Sequence, residues 1–276
     1  MRASDVSSRA AEPTSRIWFE TQPRHLAGRG DPRHITQALR ATGWKNVSDP
    51  DLPQVVLTAP DHLHTLVLEP EPEPSAMWWT LTGRRPGQFW GWSSRFGSQT
   101  PVEILAGLTD ALNQPEPETD PEIWPILTGA GWAFEQDERG DETARHPDGI
   151  LSLRRWSTDP SERHFWSVET PLPHGPGGRH VWRASLDDSM PRHLLAAFVT
   201  ALAADEPVQR AMYDVPHTHL VSHERRGPQG EELAAAHKAR LATARALARK
   251  ARRKSAPAAP SGPPPAAART TTSRSR

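Results

Sequence analysis

The sequence has no cysteine, which excludes a disulfide framework, a thiolate nucleophile and thiolate-ligated zinc. No apolar run approaches the ~18 residues that a membrane-spanning helix needs. The segment from Met1 to Thr14 is mixed in charge and carries no hydrophobic stretch suited to a secretory leader. A cytoplasmic protein without a membrane partner is the expectation. The usual catalytic signatures are also missing: there is no Walker phosphate loop, no G-x-G-x-x-G, no H-E-x-x-H and no G-x-S-x-G. Gly175-Pro176-Gly177-Gly178 is Gly-rich but lies between two expected strands rather than ahead of a helix, so it reads as a loop. No catalytic residue, cofactor or enzymatic activity is expected. Hydrophobic residues reach only 36%, and adding glycine still leaves them below the ~45–50% of ordinary globular domains. Part of the chain should therefore stay unpacked.

Proline and tryptophan stand on the other side of the ledger. The 29 prolines are about twice the ordinary ~5% share. Many fall in runs such as Glu69-Pro70-Glu71-Pro72-Glu73-Pro74, which read as extended loop because proline fixes φ and removes a donor. The 11 tryptophans all lie between Trp18 and Trp182. The formal charge of zero conceals a split: from Arg225 onward thirteen bases face only Glu231 and Glu232, giving +11 and leaving −11 for the rest. An acidic body tethered to a basic tail results.

An internal repeat organises the body. Asp31-Pro32 through Gly43-Trp44 returns as Asp120-Pro121 through Gly131-Trp132, and Pro101-Val102-Glu103-Ile104-Leu105 returns as Pro191-Arg192-His193-Leu194-Leu195. Between these anchors Pro60-Asp61 matches Pro147-Asp148, Trp79 matches Trp166, and Trp92 matches Trp182, with offsets drifting only from 87 to 90. Each copy opens like a helix. Asp31 suits the N-cap, Pro32 the first helical position, and Gly43 a left-handed stop. Pro125 should shorten or kink the matching helix of copy two, which stops at Gly129 or Gly131. Strands are expected over 55–58, 64–68, 77–81 and 90–96, with counterparts over 150–154, 165–168 and 180–186 and short strands at 44–47 and 132–135. Each copy closes with a helix. Thr100 and Glu103 fit a capping box, and Leu105, Leu108 and Leu112 form a stripe repeated by Leu195, Phe198 and Leu202. The fold class predicted is α+β: two tandem helix–antiparallel sheet–helix units of four or five strands each, forming a pseudo-symmetric body.

With these residues in view, the chain resembles the SPDY family, a domain of unknown function found in actinobacterial proteins, generally as two copies per chain. The resemblance rests on His25-Leu26-Ala27-Gly28 with Asp31-Pro32-Arg33, Ala41-Thr42-Gly43-Trp44, Ser48-Asp49-Pro50 and Pro60-Asp61-His62. It continues through Leu66-Val67-Leu68-Glu69-Pro70, Phe96-Gly97-Ser98 and Pro101-Val102-Glu103-Ile104-Leu105. It implies architecture and a bacterial source, and no mechanism. The division expected is a flexible N-terminus at 1–23, units at 24–114 and 120–208, a linker at 209–229, a basic helix at 230–254 and a disordered tail at 255–276.

Candidate sites are few. Recurring tryptophans read as core, whereas Trp78, Trp90 and Trp92 could form an exposed aromatic platform, since adjacent Trp78 and Trp79 point to opposite strand faces. His62 and His64 read as turn or solvent-facing residues, and His217, His219 and His223, near Asp214 and Glu224, make the densest set of potential metal ligands. In the tail helix, Leu233, Ala236, Leu241, Ala244, Leu247 and Ala251 offer a thin apolar seam. Lys238, Arg240, Arg245, Arg249, Lys250, Arg252, Arg253 and Lys254 suit phosphate backbones. The expected partners are therefore an unidentified protein bound by the body, or nucleic acid bound through 225–254. The leading expectation is a non-enzymatic macromolecular interaction protein; the alternatives are a nucleic-acid-associated protein and an enzyme of unrecognised type.

Overall fold

The structure, a computed structural model, describes residues 17–71, 73, 76–87, 89–158, 164–173 and 178–255, and only the backbone at 224–226, 252, 254 and 255. The expectations for 1–16, for 256–276, for most of the Gly-rich loop and for part of the Glu-Pro run lie outside the described residues.

The class is α+β, and its strands are antiparallel. Copy one supplies helix α1 (Arg33–Thr42), strands β2 (Lys45–Asn46), β3 (Val55–Thr58), β4 (His64–Leu68), β5 (Met77–Gly83) and β6 (Trp92–Gly97), and helix α2 (Val102–Ala111). Copy two supplies α3 (Trp124–Gly129), β7 (Ala133–Gln136), β8 (Glu142–Arg145), β9 (Ser152–Trp156), β10 (Phe165–Pro171), β11 (His180–Asp187) and α4 (Arg192–Ala203). The two meanders join edge to edge in one ten-stranded sheet, in the order β2-β3-β4-β5-β6-β11-β10-β9-β8-β7.

The joint lies on a local two-fold axis. Trp92 and Trp182, like Pro101 and Pro191, are 90 positions apart, which makes Ser185 the counterpart of Arg95. Those two residues face each other across β6 and β11. The helices cross on the same axis. α2 packs on α4, and a Cβ added to Gly107 would lie 2.8 Å from the carbonyl oxygen of its own counterpart Ala197 and 2.5 Å from Ala201 Cβ. Only glycine lets these backbones approach so closely.

α1 flanks α2, and α3 flanks α4, so the four helices cover one sheet face. Their buried side chains and the inward strand residues, among them Trp79, Leu81, Phe96, Trp166, Val168 and Leu186, form one continuous core.

Local chemistry explains the helix ends. Asp31 Oδ1 accepts the Arg33 N–H at 2.9 Å, and Gly43 takes φ 106° to stop α1. Trp44 N–H then donates to Leu39 O, as Trp132 N–H does to Leu127 O, each at 3.1 Å. α3 begins at Trp124 rather than at Asp120-Pro121, so Pro125 falls in the first turn, where its missing donor costs little. The capping box at α2 does not form. Thr100 Oγ1 is buried without a partner among the described residues, and the Glu103 carboxylate is taken by Arg210 instead.

Three strands lie in segments expected to be a flexible terminus and linker. β1 (Trp18–Gln22) runs between β12 (Val208–Ala211) and β13 (Ser222–Arg226) in a separate three-stranded sheet. Arg210, on β12 and only 2% exposed, donates to both Glu103 oxygens at 2.8 and 2.6 Å and to Gly28 O, locking this sheet to α2. A Cβ on Gly30, at φ 71°, would lie 3.0 Å from the Arg210 guanidinium, so the turn is kept free of side chain there. Burial alone would raise the Glu103 pKa; the Arg210 charge and hydrogen bonds outweigh it and hold the carboxyl below its ordinary range.

Helix α5 (Gly230–Ser255) folds back on α1. Arg240 donates to both oxygens of Asp110 at 2.8 and 2.9 Å, and His237 Nε2 is 2.8 Å from Gln37 Oε1. The half-buried seam of α5 runs through Leu233, His237, Arg240, Leu241, Ala244 and Ala248. Ala236, Leu247 and Ala251, expected in the seam, face solvent. No helix among the described residues is long and apolar enough to cross a membrane.

Candidate macromolecular interface

Cross-strand pairs place side chains on a common face. Following the pairs through the sheet gives one continuous row: Val56, Val67, Thr80, Arg95, Ser185, Ser167, Arg154 and Thr143. The row lies opposite the helices, passes through the two-fold axis, and is polar from Thr80 onward. A neighbouring row adds Thr58, Thr65, Thr82 and Ser93 in copy one, and Arg183, Glu169, Ser152 and Arg145 in copy two. Ser93, Arg95, Arg183, Ser185, Glu169, Arg154 and Arg145 are all exposed. Ten strands span about 43 Å at ~4.8 Å each, giving a broad face of hydroxyls and guanidiniums with no helix over it among the described residues.

The arginines on this face differ. Arg154 pairs with Asp141 at 2.5 Å and Arg145 with Glu135 at 3.1 Å. Arg95 and Arg183, on the two central strands, have no ion-pair partner among the described residues. Trp156 and Phe165 pack together at 5.7 Å beside Arg154, adding an apolar step on the copy-two side.

A second exposed feature projects from the loop joining β5 to β6. Phe89 and Trp90 are 86% and 79% exposed and meet edge to face at 5.2 Å. Arg84, Arg85, Gly87 and Phe89 with Leu63 line a shallow depression of about 340 Å³. Of the three tryptophans expected as a platform, only Trp90 is exposed. Trp78 is 9% exposed: it sits at a β-bulge, donates to Glu71 O and lies under the Arg29 guanidinium at 4.4 Å. Trp92 is 4% exposed and faces His64 and Gly83 in the core. Phe89 was missed because a single phenylalanine between Gln88 and Trp90 carries no periodic signal.

The basic residues of α5 divide in two. Arg240 is spent on Asp110, whereas Lys238, Arg245, Arg249, Lys250 and Arg253 are exposed. Lys238, Arg245, Arg249 and Arg253 lie seven, four and four positions apart and share one helix face. The side chains of Arg252 and Lys254 lie outside the described set.

No metal site was expected, and the histidines noted as weak candidates, His217, His219 and His223, do not form a group of three converging ligands among the described residues. His217 and His219 have ring centroids 6.0 Å apart, and burial, reinforced by the His219 charge, lowers the His217 pKa. His223 turns away to β1, with Nδ1 at 3.0 Å from Thr21 Oγ1 and its ring against Phe19. His62 lies in the turn at φ 59°, and His64 begins β4, so they share no strand face.

Comparison with known proteins yields one family. The model of the SPDY domain, described as a domain of unknown function (DUF317), matches residues 58–118 and 146–208. The matched segments run from the end of β3 and from the β8–β9 turn through the closing helix of each unit, leaving α1, α3, the three-stranded sheet and α5 outside. No curated protein and no solved structure matches the chain. Each two-fold-related half of the sheet thus carries one segment matched by the SPDY model, consistent with two tandem copies of that domain.

Proposed function

We propose that the protein is a non-enzymatic binding protein whose open sheet face receives an extended macromolecular partner. The observation that carries this reading is the polar row that crosses the two-fold axis from Thr80 to Thr143. A face built from serine, threonine and arginine offers directional hydrogen bonds and cationic charge rather than apolar burial. It suits a partner with many acceptors along its length more than a second copy of the chain. The unpaired Arg95 and Arg183 are its central contacts. The test is capture by the immobilised full chain, with and without Arg95→Glu and Arg183→Glu together. Both side chains are exposed, so the fold should survive while the partner is lost. Undiminished capture by the double variant would remove the reading.

A second reading rests on α5. Its exposed stripe of Lys238, Arg245, Arg249 and Arg253, held rigidly by the Arg240–Asp110 pair, suits nucleic-acid phosphates. A gel shift with duplex DNA across a salt series tests it. Changing all four to alanine should abolish binding, and each lost phosphate contact should flatten the log–log salt slope by about 0.9. Binding that survives those four changes would exclude the stripe.

A further inference from the structure

His25, His146 and Asp148 come together where the segment after β1 lies against the β8–β9 turn of copy two. One ligand atom from each falls within 4.8 Å of the others, the single such group of three among the described residues. Asp148 stands between the imidazoles, with Oδ2 2.8 Å from His25 Nε2 and Oδ1 2.9 Å from His146 Nδ1. The rings meet edge to face at 4.8 Å. Both histidines are held from behind: the backbone carbonyl of His25 accepts the Trp182 indole N–H at 2.7 Å, and the His146 ring packs on Trp132 at 5.3 Å.

The decisive detail is His25. Its side chain is 4% exposed, and Nε2 has Asp148 Oδ2 at 2.8 Å as its one polar contact among the described residues, with no geometrically ideal hydrogen bond. A buried nitrogen whose hydrogen bond is poorly formed is costly. Two imidazoles and a carboxylate with their donor atoms within 4.8 Å of one another are what joint coordination of a cation requires. Asp148 Oδ1 is already used by the turn, where it accepts the Ile150 N–H at 2.9 Å, which leaves Oδ2 for a ligand. On His146, Nδ1 contacts Asp148 Oδ1 at 2.9 Å and accepts a long 3.2 Å hydrogen bond from the Asp148 N–H, contacts that an ion would replace.

We infer that His25, His146 and Asp148 form a binding site for a divalent ion of the zinc type, fastening the N-terminal segment to the second SPDY domain. Two imidazoles and a carboxylate are borderline ligands that suit Zn²⁺ and leave a fourth position open. With metal–ligand bonds of ~2.0–2.1 Å, tetrahedral donor atoms stand about 3.3 Å apart, so the 2.8 Å contact of His25 Nε2 with Asp148 Oδ2 needs to open by about half an ångström, and the three donor atoms already lie within 4.8 Å of one another. Copy one has no such site, since Ala59 stands where His146 does.

The experiment uses the full chain with Co²⁺ as an optical probe and Zn²⁺ as competitor. The unaltered protein should take up one Co²⁺ with visible ligand-field absorption, release it to Zn²⁺, and unfold at higher temperature with Zn²⁺ present. His146→Ala, which copies the Ala59 of copy one, should fold normally and weaken binding at least about tenfold; Asp148→Asn, which keeps an oxygen for the turn, should do the same. His217→Ala with His219→Ala should leave uptake unchanged. The proposal is overturned if the protein takes up no Co²⁺ or Zn²⁺ at micromolar free ion. It is equally overturned if uptake persists in folded His146→Ala and Asp148→Asn, or is lost only with His217 and His219.

Discussion

The turn at 59–64 and the turn at 146–151 are the same object made with different side chains. His62 N–H donates to Ala59 O and Gly149 N–H to His146 O; Ala59 N–H donates to His64 O and His146 N–H to Leu151 O. Asp61 Oδ1 accepts from Leu63 N–H, and Asp148 Oδ1 from Ile150 N–H, both at 2.9 Å. The aspartate is therefore first a turn residue in both copies. What differs is the histidine: copy one places it in the left-handed position, at φ 59°, where copy two has Gly149 at φ 74°, and copy two places it beside the carboxylate. The indoles diverge in the same way. Trp166 and Trp182 donate to Asp188 Oδ1 and His25 O at 2.7 Å, while the N–H groups of Trp79 and Trp92 are buried without partners among the described residues. Duplication kept the backbone and apolar volume and let the polar partners drift.

That contrast can be broken most severely at α2, where copy one has Glu103 and copy two has His193. Arg210→Ala strands the Glu103 carboxylate and should cost about 3 kcal/mol in urea unfolding, the low end for a buried pair, because Glu103 keeps 26% exposure. The Glu103 pKa is depressed on folding, so its contribution is complete above its ordinary value of 4.5 and is lost as pH falls through the lower folded value. Acid unfolding of Glu103→Gln should accordingly lose part of its pH dependence. Gly107→Ala should cost about 1–3 kcal/mol by overpacking the helix crossing, whereas Ala197→Gly, its mirror, should cost only about 1. Thermal melts of the two variants test the asymmetry. Trp166→Phe should be worse than Trp79→Phe by about 1–2 kcal/mol, since only the former discards a made hydrogen bond; equal losses would contradict the divergence of partners. Smallest, His62→Gly should stabilise by about 0.5–1 kcal/mol by relieving the left-handed backbone.

Local signals were the readable ones. Gly43-Trp44 and Gly131-Trp132 announce a helix stop, and Pro60-Asp61 and Pro147-Asp148 announce a turn, because each feature is built from neighbours in the chain. The antiparallel class follows from short loops. The three-stranded sheet could not be read, because β1 pairs with residues about 190 to 210 positions away whose sequences carry no matching pattern. Thr100 and Glu103 looked like a capping box because their spacing is right, and only Arg210, 107 positions on, diverts the carboxylate. Trp78 looked exposed by alternation, but the bulge at the start of β5 breaks alternation there. His25 gave no hint of His146 and Asp148, since ligand spacing in sequence is informative only when one element carries the ligands.

The Arg95–Ser185 pair on the local axis has a consequence for recognition. A homodimer built on such an axis presents a palindrome, because each half must repeat the other. Here both halves belong to one gene product, and arginine meets serine where a dimer would set like against like. The surface can therefore distinguish the two ends of whatever lies along it, and seat a directional ligand in a single orientation.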